Sequence, residues 1–411
     1  MKHDSHNLGK RTFVGFGFGA IQSGLFLFEA FKTGRFDRLV VAEVVPEAVM
    51  RVRRNNGCYM LNVATESGIE KHEISGLEIY NPLDSEDRKK LVEALAESSE
   101  IATALPSVDF YNRGEASVVN LTIEAVERKL KEGSLPPALF YTAENNNHAA
   151  EIFAKHFNAA ISNAPAARHR IQFLNTVVGK MSGVVTDPEQ IRQQNLAPVT
   201  PNAGSAFLVE AFNRILISRV TLPDAQRNIT VFEEKDDLLP FEEAKLYGHN
   251  ATHALIGYLA NEKGCRFMSD TVNFHELILF AQKAFLEESG AALIKKYHGI
   301  DPLFTEDGFR NYATGLLKRM LNPHLKDQVE RVIRDPARKL AWNDRLIGTM
   351  RLALAQGIQP VCFAEAAAAA SAYLDPRTPP RELLSRFWTA ESASLLKGKL
   401  LLLIENAARQ R

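Results

Sequence analysis

Apolar and polar positions change period along the chain. Up to about residue 178, short runs rich in β-branched and aromatic residues, at 12–16, 38–43, 77–80, 100–105 and 138–143, alternate with amphipathic stretches at 20–31, 86–96 and 122–131. Strands separated by helices predict a mostly parallel sheet built from βαβ units. The run 170–178 is a candidate to close that sheet. From about Asp187 the texture changes, and Ala197-Pro-Val-Thr-Pro-Asn-Ala-Gly204 is rich in the breakers that join domains. Beyond Leu239-Pro240 long amphipathic runs at 242–260, 271–296 and 308–321 predict helices, punctuated by Asn322-Pro323, Asp335-Pro336 and a proline cluster at 376–380. The alanine run 366–370 reads as a helix interior. No segment repeats another. The expected organisation is an α/β domain over 1–195 followed by a mostly α-helical domain over 196–411.

Length agrees with two domains, because 411 residues exceed the roughly 100–200 of one. Lys+Arg and Asp+Glu both number 49. A chain so balanced offers no global attraction to nucleic acid or to an acidic membrane surface, so neither is an expected partner. Cys58, Cys265 and Cys362 lie far apart without metal spacing, which suggests a reducing compartment. The stretch 1–10 is polar and lacks the apolar core of an export signal. The apolar stretch 13–31 is broken by four glycines, Gln22, Ser23 and Glu29, and does not read as a bilayer span. A cytoplasmic enzyme with a small-molecule substrate is the expectation; oligomeric state is not readable.

The first predicted strand runs into Gly15-Phe-Gly17-Phe18-Gly19-Ala20-Ile21-Gln22-Ser-Gly24 and then a helix. Strand, glycine turn and helix together form the context a dinucleotide site needs: the glycines permit a tight turn and close approach of a pyrophosphate to the helix N-terminus. Gly15-x-Gly17-x-x-Ala20 fits the pattern fully, and Gly17-x-Gly19-x-x-Gln22 fits its first two positions. Glu43 ends the second strand, where a carboxylate can accept hydrogen bonds from the adenosine ribose of NAD and repel the extra phosphate of NADP. The N-terminal domain is therefore expected to be Rossmann-type, with NAD as cofactor; the bland alternative is a glycine turn that only packs a helix on a sheet.

Candidate chemistry lies in Lys245-Leu-Tyr-Gly-His249-Asn250-Ala-Thr-His253. On an α-helix turning about 100° per residue, Asn250 stands about 140° and His253 about 80° round from Lys245. The three share one side. A lysine partly removed from water loses basicity and can serve as general base towards an alcohol. Asn250 can then stabilise the developing alkoxide, and His253 can hold the substrate oxygen or the lysine. His249 and His253 also have the i, i+4 spacing of a helical zinc site, but no glutamate follows His249 as such a site demands. No metal is expected. The remaining alternative is a solvated or core-satisfied polar face.

Lys-x4-Asn-x2-His on a helix after a Rossmann half resembles the polyol-specific long-chain dehydrogenases, which work without metal, and within them the mannitol-1-phosphate 5-dehydrogenases. The supporting stretches are Lys245…His253-Ala…Tyr258-Leu259, Glu287-Glu-Ser-Gly-Ala-Ala-Leu-Ile-Lys-Lys-Tyr297, and Asn322-Pro-His-Leu-Lys-Asp327…Arg331…Asp335-Pro…Arg338-Lys-Leu340…Asp344-Arg-Leu346. The resemblance implies reversible NAD-dependent oxidation of a secondary hydroxyl of a sugar-alcohol phosphate. Lys245 would then be the acid/base, with Asn250 and His253 beside it. Glu144-Asn145 resembles the family's Glu-Asn, whose asparagine lies beside nicotinamide and substrate. Arg331, Arg334, Arg338 and Lys339 are candidate phosphate anchors, since arginine offers paired donors. Two positions depart from the family pattern. Gly179-Lys180 stands where an Asp-Arg pair is usual, so an acidic partner for the lysine is missing there, and Gln22 replaces a third glycine. An unphosphorylated polyol, a hexuronate, or dinucleotide binding without turnover are the alternatives.

Overall fold

The computed structural model describes residues 11–388 and 394–411; the polar stretch 1–10 lies outside the described residues. In chain order its strands are β1 (Thr12–Phe16), β2 (Arg38–Ala42), β3 (Tyr59–Ala64), β4 (Ile69–Ile74), β5 (Leu77–Tyr80), β6 (Ser98–Thr103), β7 (Ala138–Thr142), β8 (Ile171–Val177), β9 (Ser182–Val185), β10 (Ala206–Glu210), β11 (Ile215–Ser218) and β12 (Phe232–Lys235). Six of them lie parallel in the order β5-β2-β1-β6-β7-β8. Counted among themselves they run 3-2-1-4-5-6, the order of a doubly wound dinucleotide fold, whose strand order reverses beside β1. The run at 170–178 does not close the sheet: β11 pairs antiparallel with β8, and β12 continues beyond it.

Successive side chains of a strand point to opposite faces, and both faces here are covered. Phe13, Val41, Ala102 and Tyr141 join one core with Leu25, Phe26, Tyr59, Leu61, Phe207 and Val209, from the helix after β1 and from a second sheet. Val14, Val40, Ile101 and Phe140 join the other, with Leu91, Leu95, Phe153 and Phe157 from two helices. Burial on both sides explains why β1, β2 and β7 read as continuous apolar runs rather than alternating ones.

The second sheet, in the order β4-β3-β10-β9, moves the domain boundary. The chain divides into two units, Met1–Leu238 and Leu239–Arg411, rather than at 195/196. The breaker-rich stretch at 197–204 is an internal loop: Asn62 donates its amide to Ala197 O and Phe207 O, and accepts from Ala197 N. The strands after it, β10 to β12, pair with strands of the first unit.

The second unit is helical in its described residues, as expected. Helix Val361–Leu374 is buried almost all round, including Ala366 to Ala370. That burial is what an apolar circumference requires. Glu288 receives Cys362 N and Phe363 N at the start of that helix, satisfying amide donors that would otherwise be orphaned. Lys296 and Tyr297 both donate to Glu243. The Glu287 to Tyr297 stretch thus holds helices together. No helix among the described residues is long and apolar enough to cross a membrane.

Candidate functional site

In the first unit the turn falls at Gly17, whose φ of +86° suits glycine. Its amide donates to Ala42 O. The following helix opens at Gly19, whose carbonyl accepts Ser23 N, continues as a π turn at Gln22–Phe26 and becomes α at Leu27–Thr33. This geometry matches the register Gly17-x-Gly19-x-x-Gln22. A side chain added at Gly19 would meet open space, so the protein's own packing does not demand glycine there. Close approach of a ligand would.

Gln22, at the usual third-glycine position, is compensated from the strand. A Cβ on Gly15 would lie 2.0 Å from the Gln22 amide nitrogen, so the missing side chain of Gly15 makes the room that a third glycine provides elsewhere. The helix also presses on the second sheet: a Cβ on Gly24 would lie 2.5 Å from Val209, and Tyr59 donates to Ser23 O. Phe18 packs edge-on against Tyr59 and Phe207, and Ala20 is buried. Ile21 is half-buried and packs against the core.

Glu43 sits where expected, after β2, and does more than was expected. It accepts Phe18 N at 2.7 Å and Val45 N at 2.8 Å, one on each oxygen. It therefore fastens the glycine turn, while each oxygen keeps a lone pair for a further donor. Asn145 is exposed beyond β7. Its neighbour Glu144 is buried and accepts Thr103 Oγ1, Leu105 N and Tyr111 OH, which fixes the loop; burial raises its pKa.

In the second unit the helix bearing Lys245, Asn250 and His253 is not a plain α-helix. It begins at Leu239–Glu243, becomes a π turn at Ala244–Asn250 and returns to α at Ala251–Glu262. A π turn closes i→i+5 bonds, so Lys245 and Asn250 stack one above the other as residues four apart do in an α-helix. His253 then follows Asn250 by an i, i+3 step on the same face. The extra residue thus aligns the three groups better than the 140° expected from α geometry.

The packing around the π turn explains its presence. A Cβ on Gly248 would press Phe285 at 3.0 Å, and one on Gly348 would sit 2.5 Å from the Tyr247 ring. Thr349 Oγ1, which donates to Arg345 O, also lies 3.2 Å from Tyr247 O, and Tyr312 OH lies 3.5 Å from Ala244 O. Hydroxyls from neighbouring helices thus stand beside carbonyls that the widened turn presents.

Lys245 is half-buried. Burial brings its pKa down to about 8, against the opposing carboxylate of Glu242 and with help from the Arg345 cation. His249 is buried and held well below the ordinary histidine value by that burial, and next by His253, Arg319, Lys245 and Arg345. The His249 and His253 rings lie 6.1 Å apart between centroids. Among the described residues no group of three or more His, Cys, Asp and Glu side chains converges where a metal ion can sit.

Two residues that spacing did not single out belong to this face. Asp327 places Oδ2 3.1 Å from His253 Nε2, and Arg345, at the start of helix Arg345–Ala355, is close enough to act on Lys245. Both stood within motif stretches, yet nothing local in the sequence marks the contact. Arg331 is engaged with Asp327, Nε at 2.7 Å and Nη2 at 2.6 Å from Oδ1. Arg334 and Arg338 are exposed. Lys339 is buried, brought to about 8 by that burial and by Arg345 and Arg338, and it donates to Arg334 O. Lys180, in the departing Gly179-Lys180 pair, donates to Phe212 O.

Residues 237–386 match the mannitol dehydrogenase C-terminal domain family. Two solved structures share the fold of nearly the whole chain. One is a Pseudomonas fluorescens mannitol 2-dehydrogenase in ternary complex with NAD and D-mannitol, 16% identical, TM-score 0.69, covering 98% of this chain and 92% of that one. The other is a substrate-free D-sorbitol dehydrogenase, 15% identical, TM-score 0.76, covering 98% of this chain and 94% of that one. The mostly parallel N-terminal sheet and the helical C-terminal unit are thus a shared architecture.

Proposed function

We propose that this chain is an NAD-dependent dehydrogenase that oxidises a secondary hydroxyl of a sugar alcohol or sugar-alcohol phosphate to the ketone, reversibly, with Lys245 as general base. The observation that carries the reading is the π turn that lines up Lys245, Asn250 and His253 while burial brings Lys245 to about 8. A base with a pKa near the working pH is both available and strong enough to move a proton. The match of residues 237–386 to the mannitol dehydrogenase family supports the substrate class.

The glycine turn from Gly15 to Gln22, with Glu43, would hold the dinucleotide; the open space at Gly19 and the spare acceptor capacity of Glu43 fit it. When bound, nicotinamide supplies the hydride acceptor. Neutral Lys245 takes the hydroxyl proton as the carbinol carbon loses its hydride. Asn250 donates to the oxygen as it gains negative charge, and His253 helps to hold the substrate in place. Asn145 is assigned to the nicotinamide and substrate side. The finer reading is a phosphorylated hexitol resembling mannitol 1-phosphate. Arg334 and Arg338 are its anchors of choice because Arg331 is already engaged by Asp327.

An NAD-linked screen of hexitols, hexitol phosphates and hexuronates tests both levels. Turnover of a hexitol or its phosphate is expected, with higher kcat/KM for the phosphate. Absence of turnover with all three classes would overturn the activity, and preference for the free hexitol would overturn the finer reading.

A further inference from the structure

His253 and Asp327 pose a pairing problem that the fold solves in one way. His253 Nε2 and Asp327 Oδ2 are both buried, and neither has an in-line hydrogen-bond partner among the described residues. They lie 3.1 Å from each other. Leaving two such atoms unpaired away from water is costly, and a small rotation of the imidazole brings the donor into line. The other carboxylate oxygen, Oδ1, is occupied by Arg331 through Nε and Nη2. One carboxylate therefore has its two oxygens divided between a histidine and an arginine.

The backbone fixes that carboxylate. Met268 N donates to Asp327 O and Val329 N donates to Arg266 O, around an isolated antiparallel bridge between Phe267 and Gln328. The helix that follows, Val329–Ile333, lies hard against the helix bearing His253. A Cβ on Gly257 would be 2.7 Å from Val332 and 3.0 Å from Ile333, and Tyr258 donates to Ile333 O at 3.0 Å. Asp327 is thus held from both sides of its own position. Burial pushes its carboxyl up, but His253 and Arg331 outweigh burial and keep it below the ordinary carboxylate value, so it faces the histidine as an anion.

Resting on the dehydrogenase reading above, we propose that Asp327 is a positioning residue for His253: it keeps the ring proton on Nε2 and fixes the ring plane, leaving Nδ1 as the acceptor for a substrate hydroxyl next to the one that reacts. Arg331 is then the outer support of the pair rather than a substrate anchor. A carboxylate behind a histidine selects one tautomer and one orientation.

The test uses the full chain and Asp327→Asn, which preserves shape and an oxygen for Arg331. Nitrogen-15 spectra of histidine-labelled protein, with His253 assigned by difference from His253→Gln, should show the Nε2–H tautomer in the unmodified protein and a mixed or reversed tautomer in Asp327→Asn. This readout needs neither cofactor nor substrate, so it stands even if the dehydrogenase reading fails. With substrate, Asp327→Asn should lower kcat for polyol oxidation at least about tenfold, within the range acid–base groups supply. It should have little further effect once His253 is Gln. Arg331→Lys, which keeps a cation but loses the fork, should show the same tautomer shift in weaker form and no selective loss of affinity for a phosphorylated substrate. An unchanged tautomer in a folded Asp327→Asn, or kcat losses that add in the double variant, would overturn the proposal. Should Asp327→Asn fail to fold, Arg331→Lys carries the same two readouts.

Discussion

Replacing Lys245 by Met should destroy catalysis and stabilise the protein at once. In the folded chain burial brings this lysine from the ordinary 10.5 to about 8. At one pKa unit per about 1.4 kcal/mol, holding the ammonium in that place costs up to about 3 kcal/mol. The sign follows from proton linkage. Between pH 8 and 10.5 the unfolded chain binds the proton that the folded chain has lost, so stability rises with pH there. Below pH 8 both states are charged and the full cost remains. At pH 7 the folded protein therefore carries the cost, and Met keeps the aliphatic stem without the charge. Removing it should raise the melting temperature of the helical unit by several degrees, since about 1 kcal/mol corresponds to roughly 2–4 °C for a domain of this size. The same variant should lose turnover by about 10²–10⁴-fold, the contribution of a general base, while its NAD affinity stays unchanged. Calorimetry at pH 7 and the absorbance of the reduced nicotinamide measure the two effects. A folded variant that melts lower than the parent, or one that keeps turnover within tenfold, would refute the reasoning that this lysine is a charge held under strain for use as a base.

Other substitutions test the remaining parts. Glu43→Ala should narrow the expected preference for NAD over NADP in titrations with each cofactor, and should also weaken NAD itself, because Phe18 N and Val45 N lose their acceptor; equal affinity for the two cofactors in the unmodified protein would sink the assignment. Gly15→Ala should destabilise by about 1–3 kcal/mol, the range for overpacking, because the added carbon would lie 2.0 Å from Gln22. Adding Gln22→Gly should recover most of that loss in a thermal melt, and failure to do so would mean the two positions do not share one space. Exhaustive chelation should leave dehydrogenase activity intact; loss on chelation with recovery on zinc would make His249 and His253 metal ligands. Oxidation measured as kcat/KM should rise with pH through about 8, with the midpoint moved up in Arg345→Ala, which removes a cation beside Lys245, and down in Glu242→Gln. Shifts in the same direction would place the titrating base elsewhere.

The six parallel strands were legible: β1, β2 and β7 are short apolar runs buried on both faces, and β5, β6 and β8 follow the same alternation with helices. The second sheet was not. β4 reads Ile-Glu-Lys-His-Glu-Ile, polar through its middle, and β9 is four residues of which none is fully buried. Such strands exist because partners distant in sequence offer a ladder: Leu61 of β3 pairs with Phe207 of β10, a contact no local window contains. The boundary error has the same origin. A breaker-rich stretch looks alike whether it joins two domains or two strands, and only the pairing of β10 to β12 decides between them.

At the candidate site, residue types and spacing put Lys245, Asn250 and His253 on one helix, and the backbone altered their alignment. The interval of five between Lys245 and Asn250 fits an α-helix poorly and a π turn well, yet a π turn leaves no mark in a hydrophobic pattern whose period it changes for one turn only. What marks it is packing by glycines on the turn and beside it, Gly248 under Phe285 and Gly348 against Tyr247, together with hydroxyls that meet the displaced carbonyls. Asp327 illustrates the same limit from the charge side. Read alone, a carboxylate four residues before Arg331 is an ordinary helix-end ion pair, and Arg331 an ordinary candidate for binding phosphate. The bridge between Phe267 and Gln328, with the packing of Val332 and Ile333 on Gly257, carries that carboxylate to His253. Once it is there, the arginine that spacing offered to the substrate becomes a support for the histidine.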